Sequence, residues 1–239
     1  CIIDSSADIA VAAKRIAWGK TLNAGQTCIA PDYILIHPDI KEEFVKAFGN
    51  EIRNLHGEDI KEHRHYVRMV SDRAFERVSK YLQDGNILYG GRMDASERFI
   101  EPTLLEVTDM SVTVMNEEIF GPVFPVIALE GDFMEEAVKF VNEREKPLAF
   151  YYFGREADGW EYIRRTSSGG GCINDVIMHI ANDRVPFGGV GNSGMGRYHG
   201  HESFDAFSHK RTGISTGTWI DLPFRYMPYK MFSLVKKLL

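Results

Sequence analysis

The sequence predicts an α/β fold with a mostly parallel sheet that is covered by helices on both faces. Its strand-like runs, for example 33–36, 123–129 and 148–153, contain no charged residue, which is typical of strands buried on both sides. Stretches in which apolar residues recur at helical spacing separate these runs, and this alternation is characteristic of βαβ units. An extended tail is expected to follow this domain at the carboxyl end.

Helix and strand signals alternate through the first 90 residues. Asp4 offers an N-cap side chain ahead of a run with helical spacing, and Pro38 ends the first apolar strand. The predicted elements are a helix from Ile9 up to Asn23, a strand over 33–36, a helix after Asp39, a helix over 66–83 and a strand over 87–89.

The same alternation continues to about residue 174 and then stops. Pro102 places the strand predicted over 99–105 at a sheet edge, since proline cannot donate to a ladder. The region 186–200 is rich in glycine and predicts a loop. The remaining predicted elements are strands over 123–129 and 148–153, helices over 133–142 and 157–165, and a strand entered at Cys172.

Composition limits the classes of partner. The chain has 239 residues, of which 44% are hydrophobic and 26% charged, and this indicates a soluble globular protein. Its net charge of −6 comes from interspersed acids and bases, which argues against nucleic acid as a partner. No apolar run is long enough to span a bilayer, and no firm membrane contact is expected. The tail 231–239 has one apolar face opposite Lys236 and Lys237, which favours packing on a subunit over a membrane surface.

The cysteines indicate a reducing compartment and one reactive thiol. Cys1, Cys28 and Cys172 are scattered and form no C-x-x-C pair, so free thiols and a cytoplasmic location are expected. A lone cysteine is usually a small buried hydrophobe, and Cys172, which enters an apolar strand, fits that interpretation. The neighbours of Cys28 are turn formers instead, in Gly25-Gln26-Thr27-Cys28-Ile29-Ala30-Pro31. A turn directs the thiol into a cavity and supplies a backbone N–H for an oxyanion, so Cys28 is the candidate catalytic nucleophile.

Two other patterns are interpreted as false signals. Gly189-Val190-Gly191-Asn192-Ser193-Gly194 matches G-x-G-x-x-G, but a poor strand precedes it, no helical pattern follows, and no acid lies about twenty residues beyond. The spacings of His63 with His65 and of His199 with His201 lack cysteine or acid partners. No metal site is therefore expected.

Several motifs together resemble the aldehyde dehydrogenase superfamily, and most of all its class 3 subgroup, which handles fatty and aromatic aldehydes. The resemblance spans nearly the whole chain and rests on long motifs in the right order. They are 25–33 (GQTCIAPDY), 117–123 (EEIFGPV), 145–149 (EKPLA), 186–196 (PFGGVGNSGMG), 198–200 (YHG) and 204–211.

The resemblance implies a role for individual residues. Cys28 would attack the aldehyde carbonyl and form first a thiohemiacetal and then a thioester, with NAD or NADP as hydride acceptor. Glu118 would hydrogen-bond the nicotinamide ribose, and Phe120 would contact the same end of the cofactor. Phe187 and His199 would line the aldehyde pocket. The choice between NAD and NADP stays open.

The resemblance also implies a division of the chain. Residues 1–207 would form the catalytic domain, and 208–239 an oligomerisation strand and tail that supports a homodimer. The chain does not begin with Met and enters directly into structure at Cys1, so we expect a C-terminal piece of a longer protein. The family's general base, a glutamate, and its N-terminal cofactor-binding domain would lie upstream of Cys1, and these 239 residues alone would not complete turnover.

Two alternatives remain open at this point. One is a thiol esterase or acyltransferase that uses Cys28 without a nicotinamide, although the sequence offers no convincing Cys-His-Asp set. The other is a non-catalytic remnant that keeps only a dimerisation role.

Overall fold

A seven-stranded sheet organises the amino-terminal unit of the computed structural model, which describes residues 1–221, 223–228, 236 and 237. Its strands lie in the order β3-β6-β7-β2-β1-β8-β9, and every neighbouring pair is parallel except β3 with β6. These strands are β1 (Ile2–Ile3), β2 (Ile34–Ile36), β3 (Asn86–Tyr89), β6 (Thr103–Glu106), β7 (Val123–Ala128), β8 (Ala149–Phe153) and β9 (Gly170–Ile173). Strands β4 (Met93–Asp94) and β5 (Phe99–Ile100) form a separate antiparallel pair.

Helices cover both faces of this sheet, as the sequence predicts. They are α1 (Ile9–Thr21), α2 (Lys41–His56), α3 (Asp72–Lys80), α4 (Phe133–Asn142) and α5 (Glu156–Arg165). A further short helix, α6 (Gly200–Ala206), has no buried residue. Successive residues of β2 point to opposite faces: Ile34 and Ile36 pack with α1 and α2, whereas Leu35 packs with α4 and α5. The predicted α/β class with a mostly parallel sheet is confirmed.

Local capping explains where several helices begin. The side chains of Asp8, Ser71 and Asp132 accept hydrogen bonds from the backbone N–H groups of Val11, Ala74 and Glu135. Each bond satisfies a donor that has no partner inside the helix.

The helix predicted over 66–83 is too long. The helix α3 covers 72–80 and a short 3₁₀ turn continues to Gln83, whereas 66–71 is irregular. Residues distant in sequence form the hydrogen bonds of that segment's backbone: Met69 N–H donates to Arg98 O (3.0 Å) and Val70 N–H to the Gln26 side chain (2.9 Å).

The strand predicted over 99–105 is divided at Pro102 into β5 and β6, which belong to different sheets.

The chain divides into two units, 1–206 and 207–239. In the second unit, the described residues contain a 3₁₀ turn at Pro223–Arg225 and a hydrogen bond from Tyr226 Oη to Asp221 (3.0 Å). The amphipathic tail predicted over 231–239 lies outside the described residues, apart from Lys236 and Lys237. The oligomerisation role of 208–239 stays a prediction.

None of the helices in the described part of the chain has the length and apolar character needed to cross a bilayer.

The core under β7 provides a test of this architecture. Phe124 is fully buried and meets Phe48 of α2 edge to face, with ring centroids 5.6 Å apart. Replacing Phe124 by Ala leaves a cavity between sheet and helix, so we expect the free energy of unfolding to fall by about 3–5 kcal/mol in urea denaturation. Phe207→Ala is the matched control, since that ring is 94% exposed. Equal losses in the two variants would contradict the packing described.

Candidate active site

The nucleophile candidate Cys28 lies in a turn between α1 and β2, and its side chain is exposed. After α1, Asn23, Ala24 and Gly25 all have positive φ, at 53°, 51° and 70°. Two of these are not glycine, and such backbone costs energy that surrounding contacts must offset. Asn23 Nδ2 donates to Gln26 O (2.9 Å), and Ala30 N–H donates to Thr27 O (2.9 Å), which closes the turn around Cys28.

Gln26 fastens this turn to a separate loop. Its side-chain amide is buried, donates to Asn23 O (3.1 Å) and Arg68 O (3.2 Å), and accepts from Val70 N–H (2.9 Å). The amide thus uses its donor and acceptor atoms on backbone groups from two segments. This explains why a polar residue occupies a buried position beside the thiol.

A buried lysine lies beneath the turn. Lys20, 1% exposed, donates from Nζ to Pro31 O (2.8 Å) and stands 4.3 Å from the centroid of the Phe124 ring. Burial lowers the pKa of Lys20 to about 8, and the nearby charge of Asp32 opposes that shift. Burial raises the pKa of Asp32, while Lys20 opposes the rise. The two residues form a compensating pair just behind Cys28.

Glu118 and Phe120 lie on the segment that faces the turn. Its backbone is held by Arg77, whose Nη1 donates to Glu118 O (2.9 Å) and whose Nη2 donates to Ile119 O (2.7 Å). Ile119 is fully buried, whereas Glu118 is exposed and Phe120 is 38% exposed with a φ of 46°. The alternation directs the Glu118 and Phe120 side chains outward from an anchored backbone.

A cleft of about 640 Å³ brings these parts together. Cys28, Glu118 and Phe120, predicted from distant parts of the sequence, all line it. Lys20, Asp32 and Tyr151 also line it, as do the segments 144–149 and 192–193. The cleft joins a thiol, a carboxylate and an aromatic ring, which is a suitable combination for binding and attacking a polar organic molecule.

Phe187 and His199 do not line this cleft. They stack on each other, with ring centroids 6.0 Å apart at 28°, and Phe187 contacts His179 at 5.6 Å. His179 in turn contacts Tyr151 at 5.9 Å, and the Tyr151 hydroxyl donates to Ile29 O (2.6 Å), next to Cys28. A row of aromatic side chains therefore connects Phe187 and His199 with the backbone of the turn that holds Cys28, which we call the nucleophile turn.

The glycine-rich loop has no dinucleotide-binding geometry. Phe187 forms one isolated bridge with Tyr198, a 3₁₀ turn covers Gly191–Ser193, and no helix starts at Gly194. The loop folds on itself: Ser193 Oγ accepts from Val190 N–H (2.9 Å), and a Cβ on Gly189 would lie 2.2 Å from Ser193 O. Its glycines serve close backbone packing at the edge of the cleft.

Sequence reasoning missed Lys20, Asp32, Tyr151 and His179. A signal for Lys20 existed, because it follows Ile16 by four residues and lies on the helix face that buries Ala13 and Ala17. A lysine on a helix face that is otherwise apolar and buried requires a hydrogen-bond or charge partner inside the protein.

Comparison with known proteins decides the family. The model of the aldehyde dehydrogenase family matches residues 1–212. The chain belongs to the aldehyde dehydrogenase family. It is 48% identical over 213 residues to the dimeric NADP-preferring aldehyde dehydrogenase of Rattus norvegicus, covering 89% of this chain and 47% of that protein. It is 46% identical over 221 residues to aldehyde dehydrogenase family 3 member A2 of Mus musculus, covering 91% and 45%.

Bacterial relatives give the same result. The 4,4'-diaponeurosporen-aldehyde dehydrogenase of Staphylococcus aureus is 43% identical over 232 residues, covering 96% of this chain and 50% of that protein. The solved structure described as the substrate-bound state of Staphylococcus aureus AldH superposes with a TM-score of 0.88 at 42% identity, covering 99% of this chain and 52% of that one. The predicted resemblance to class 3 aldehyde dehydrogenases is confirmed. This aldehyde dehydrogenase chain spans about half the length of the curated relatives it matches.

The Lys20–Asp32 pair yields a test with a defined pH dependence. Lys20→Met leaves the Asp32 carboxylate near an apolar side chain, so at pH 7, below the pKa of Lys20, the free energy of unfolding is expected to fall on the order of 3 kcal/mol. The raised pKa of Asp32 means that the folded state holds this proton more tightly than the unfolded state, and its contribution to stability is lost as the pH rises. The loss caused by Lys20→Met should therefore become smaller as the pH falls, because a protonated Asp32 no longer needs the lysine as a counter-charge.

Urea denaturation at pH 5, 6 and 7 measures this difference. Lys14→Met, on an exposed position of the same helix, is the control and should change little at any of these pH values. An equal loss for Lys20→Met at pH 5 and pH 7 would contradict the pairing.

Proposed function

We propose that this chain provides the nucleophile and the nicotinamide-end contacts for NAD(P)-dependent oxidation of aldehydes to carboxylic acids. The observation that carries the proposal is the convergence of the exposed Cys28 thiol, Glu118 and Phe120 on one cleft. Membership of the aldehyde dehydrogenase family supports the reaction class, and the names of relatives include an NADP-preferring enzyme.

Cys28 performs the first covalent step in this proposal. Its thiolate attacks the carbonyl carbon, the carbonyl π electrons move to oxygen, and the resulting thiohemiacetal oxyanion accepts from a backbone N–H of the turn. Loss of hydride from that carbon restores the carbonyl as a thioester. Water then cleaves the thioester, which releases the acid and the Cys28 thiol.

The cleft fits the nicotinamide end of NAD or NADP. The exposed Glu118 carboxylate is suited to accept hydrogen bonds from ribose hydroxyls, and the outward Phe120 ring offers an apolar face for a planar heterocycle. When bound, the nicotinamide supplies the hydride acceptor. The protein's part is to hold Glu118 and Phe120 at a fixed position opposite Cys28 through Arg77.

Apolar side chains support a hydrophobic aldehyde as substrate. Trp18 and Leu22, at the end of α1 just before the turn, are 37% and 42% exposed, and Met178 is 47% exposed. Phe187 and His199 belong to the aromatic row that leads to Ile29. Exposed apolar side chains on the helix that leads into the Cys28 turn, together with this aromatic row, are suited to an alkyl or aryl chain.

A thiol hydrolase is the weaker alternative because the activating base is misplaced. Within the described residues, the thiol–imidazole contact joins Cys172 Sγ to His179 Nδ1 at 3.6 Å and does not involve Cys28. Burial also raises the pKa of Cys172, which disfavours its thiolate.

The assembly proposed is a homodimer in a reducing compartment, the cytoplasm. Strand β9 is a sheet edge whose residues Gly170–Ile173 are all only partly buried, and such an edge is open to pairing with another strand. The Rattus norvegicus relative is named as dimeric. The cysteines of the chain are all free, which suits reducing conditions. No nucleic-acid partner is proposed.

Replacing the nucleophile tests the reaction. In the complete protein, Cys28→Ser should lower aldehyde-dependent NAD(P)H formation more than about 10³-fold while leaving the unfolding midpoint unchanged, because the side chain is exposed. Cys172→Ser is the matched control and should keep most of the activity. The proposal fails if Cys28→Ser remains active or if Cys172→Ser alone abolishes activity.

Alkylation rates distinguish a catalytic Cys28 from the alternative in which the chain is a non-catalytic remnant that keeps only a dimerisation role. Iodoacetamide should modify Cys28 much faster than Cys1 or Cys172, since those two thiols are partly buried. Peptide mass spectrometry at short times measures the three rates. Similar rates at all three thiols would favour the non-catalytic interpretation.

Oligomeric state provides a separate test. Light scattering should give the mass of a dimer, and this mass should fall towards that of the monomer on strong dilution. A monomer at all concentrations would contradict the homodimer without touching the proposal for Cys28.

A further inference from the structure

A histidine cluster lies far along the chain from the groups proposed for aldehyde oxidation. His56 is the last residue of α2, and His63 follows the 3₁₀ turn Ile60–Glu62. The Nδ1 atoms of the two rings face each other at 3.3 Å. A third imidazole, His65, has its centroid 5.5 Å from that of His63.

The spacing of the two nitrogens matches a metal chelate. Zinc–imidazole bonds of about 2.0–2.1 Å at a tetrahedral angle put the two nitrogens about 3.3–3.4 Å apart. A right angle at the same bond lengths would require about 2.8–3.0 Å, so the spacing favours tetrahedral over octahedral ions. Two facing Nδ1 atoms also leave at most one position for a proton between them, and a metal ion satisfies both lone pairs.

We propose that His56 and His63 form a binding site for a tetrahedral divalent transition-metal ion, with Zn²⁺ as the best-fitting ion. Imidazole is a ligand that zinc prefers, and the ligands arise from a rigid helix end and a short loop. His56 is fixed by its edge contact with Tyr66, whose hydroxyl donates to Ile100 O (2.8 Å). The rings are therefore already oriented before an ion arrives.

The site is weak and exchangeable rather than structural. In the described ranges of the chain, no group of three or more His, Cys, Asp and Glu side chains is arranged to hold a metal ion, so water completes the coordination. His56 Nε2 is buried without a hydrogen-bond partner, whereas tightly bound zinc sites orient the second ring nitrogen with an acceptor. Both features limit affinity.

Binding there would stabilise the loop that supports the nucleophile turn. Residues 57–70 are tied together by Arg68, which donates to Lys61 O (2.7 Å) and Tyr66 O (3.0 Å). The carbonyl of the same Arg68 accepts from Gln26 Nε2 (3.2 Å). An ion that joins His56 to His63 adds a link between α2 and this loop, and any ion that binds only the folded state raises stability.

Calorimetric titration with ZnCl₂ tests the site in the full chain with Cys1, Cys28 and Cys172 replaced by Ser, which removes thiol ligands. We expect one equivalent to bind and to raise the unfolding midpoint relative to EDTA. His56→Gln and His63→Gln should each weaken binding at least tenfold. His201→Gln, on an imidazole that is 81% exposed elsewhere in the chain, is the matched control and should bind as before.

Cobalt gives a second measurement in the unsubstituted chain, in case the serine variant does not fold. Co²⁺ bound by imidazole and water should show visible bands of tetrahedral type, and these should disappear in His63→Gln. Absence of zinc binding in a folded serine variant, absence of the tetrahedral cobalt bands in the unsubstituted chain, or unchanged binding in both His56→Gln and His63→Gln would overturn the proposal. So would cobalt spectra that depend on a cysteine.

Discussion

The geometry of the candidate active site depends on one backbone contact, between Gly25 and the carbonyl of Gly121. A Cβ on Gly25 would lie 2.3 Å from Gly121 O, a distance that no real side chain adopts, and the φ of +70° at Gly25 independently favours glycine. Gly25 is three residues before Cys28, and Gly121 is next to Phe120. The contact therefore sets the separation between the Cys28 turn and the segment that carries Glu118 and Phe120, with no flexible side chain between them.

Buried polar side chains that contact the Cys28 turn stabilise its strained backbone. Asn23 and Ala24 adopt left-handed backbone, and such strain persists only where neighbouring contacts over-determine the conformation. Gln26 supplies hydrogen bonds from one side and Lys20 from the other, and both side chains are almost fully buried. Burying a lysine is costly, and its bond to Pro31 O, the Phe124 ring and the charge of Asp32 offset that cost. These contacts fix the position of the turn, and because the lysine and the carboxylate compensate each other, losing either one alone is expected to lower stability.

Much of the fold could be predicted because its local signals agree with the final structure. The helix over 133–142 matches the predicted range, with Asp132 as its cap, since apolar periodicity and capping chemistry coincide there. Residues 66–71 have a helix-compatible sequence, but Gln26 and Arg98 compete for their backbone, and these partners are distant in sequence. Cys28 was identifiable from its turn-forming neighbours, whereas Glu118 and Phe120 required the resemblance. The sequence around Asp32 gives no sign that its carboxylate is buried. The sequence shows Lys20 as a lysine on an apolar helix face, but it does not show that Asp32 is the partner.

The exposed side chains of the two segments around Cys28 differ in chemistry. On the side of Gly121, the exposed groups are a carboxylate and one outward ring, Glu118 and Phe120, on a backbone fixed by Arg77. On the side of α1, the exposed groups are the large apolar side chains of Trp18 and Leu22. In the function proposed above, the first set of groups would suit a polar, planar cofactor and the second a hydrophobic aldehyde. The close approach of Gly25 to Gly121 fixes the backbone of the Cys28 turn against the segment of Glu118 and Phe120, so the thiol and the proposed cofactor contacts keep one relative position, and such fixed placement is what lowers the entropic cost of a reaction.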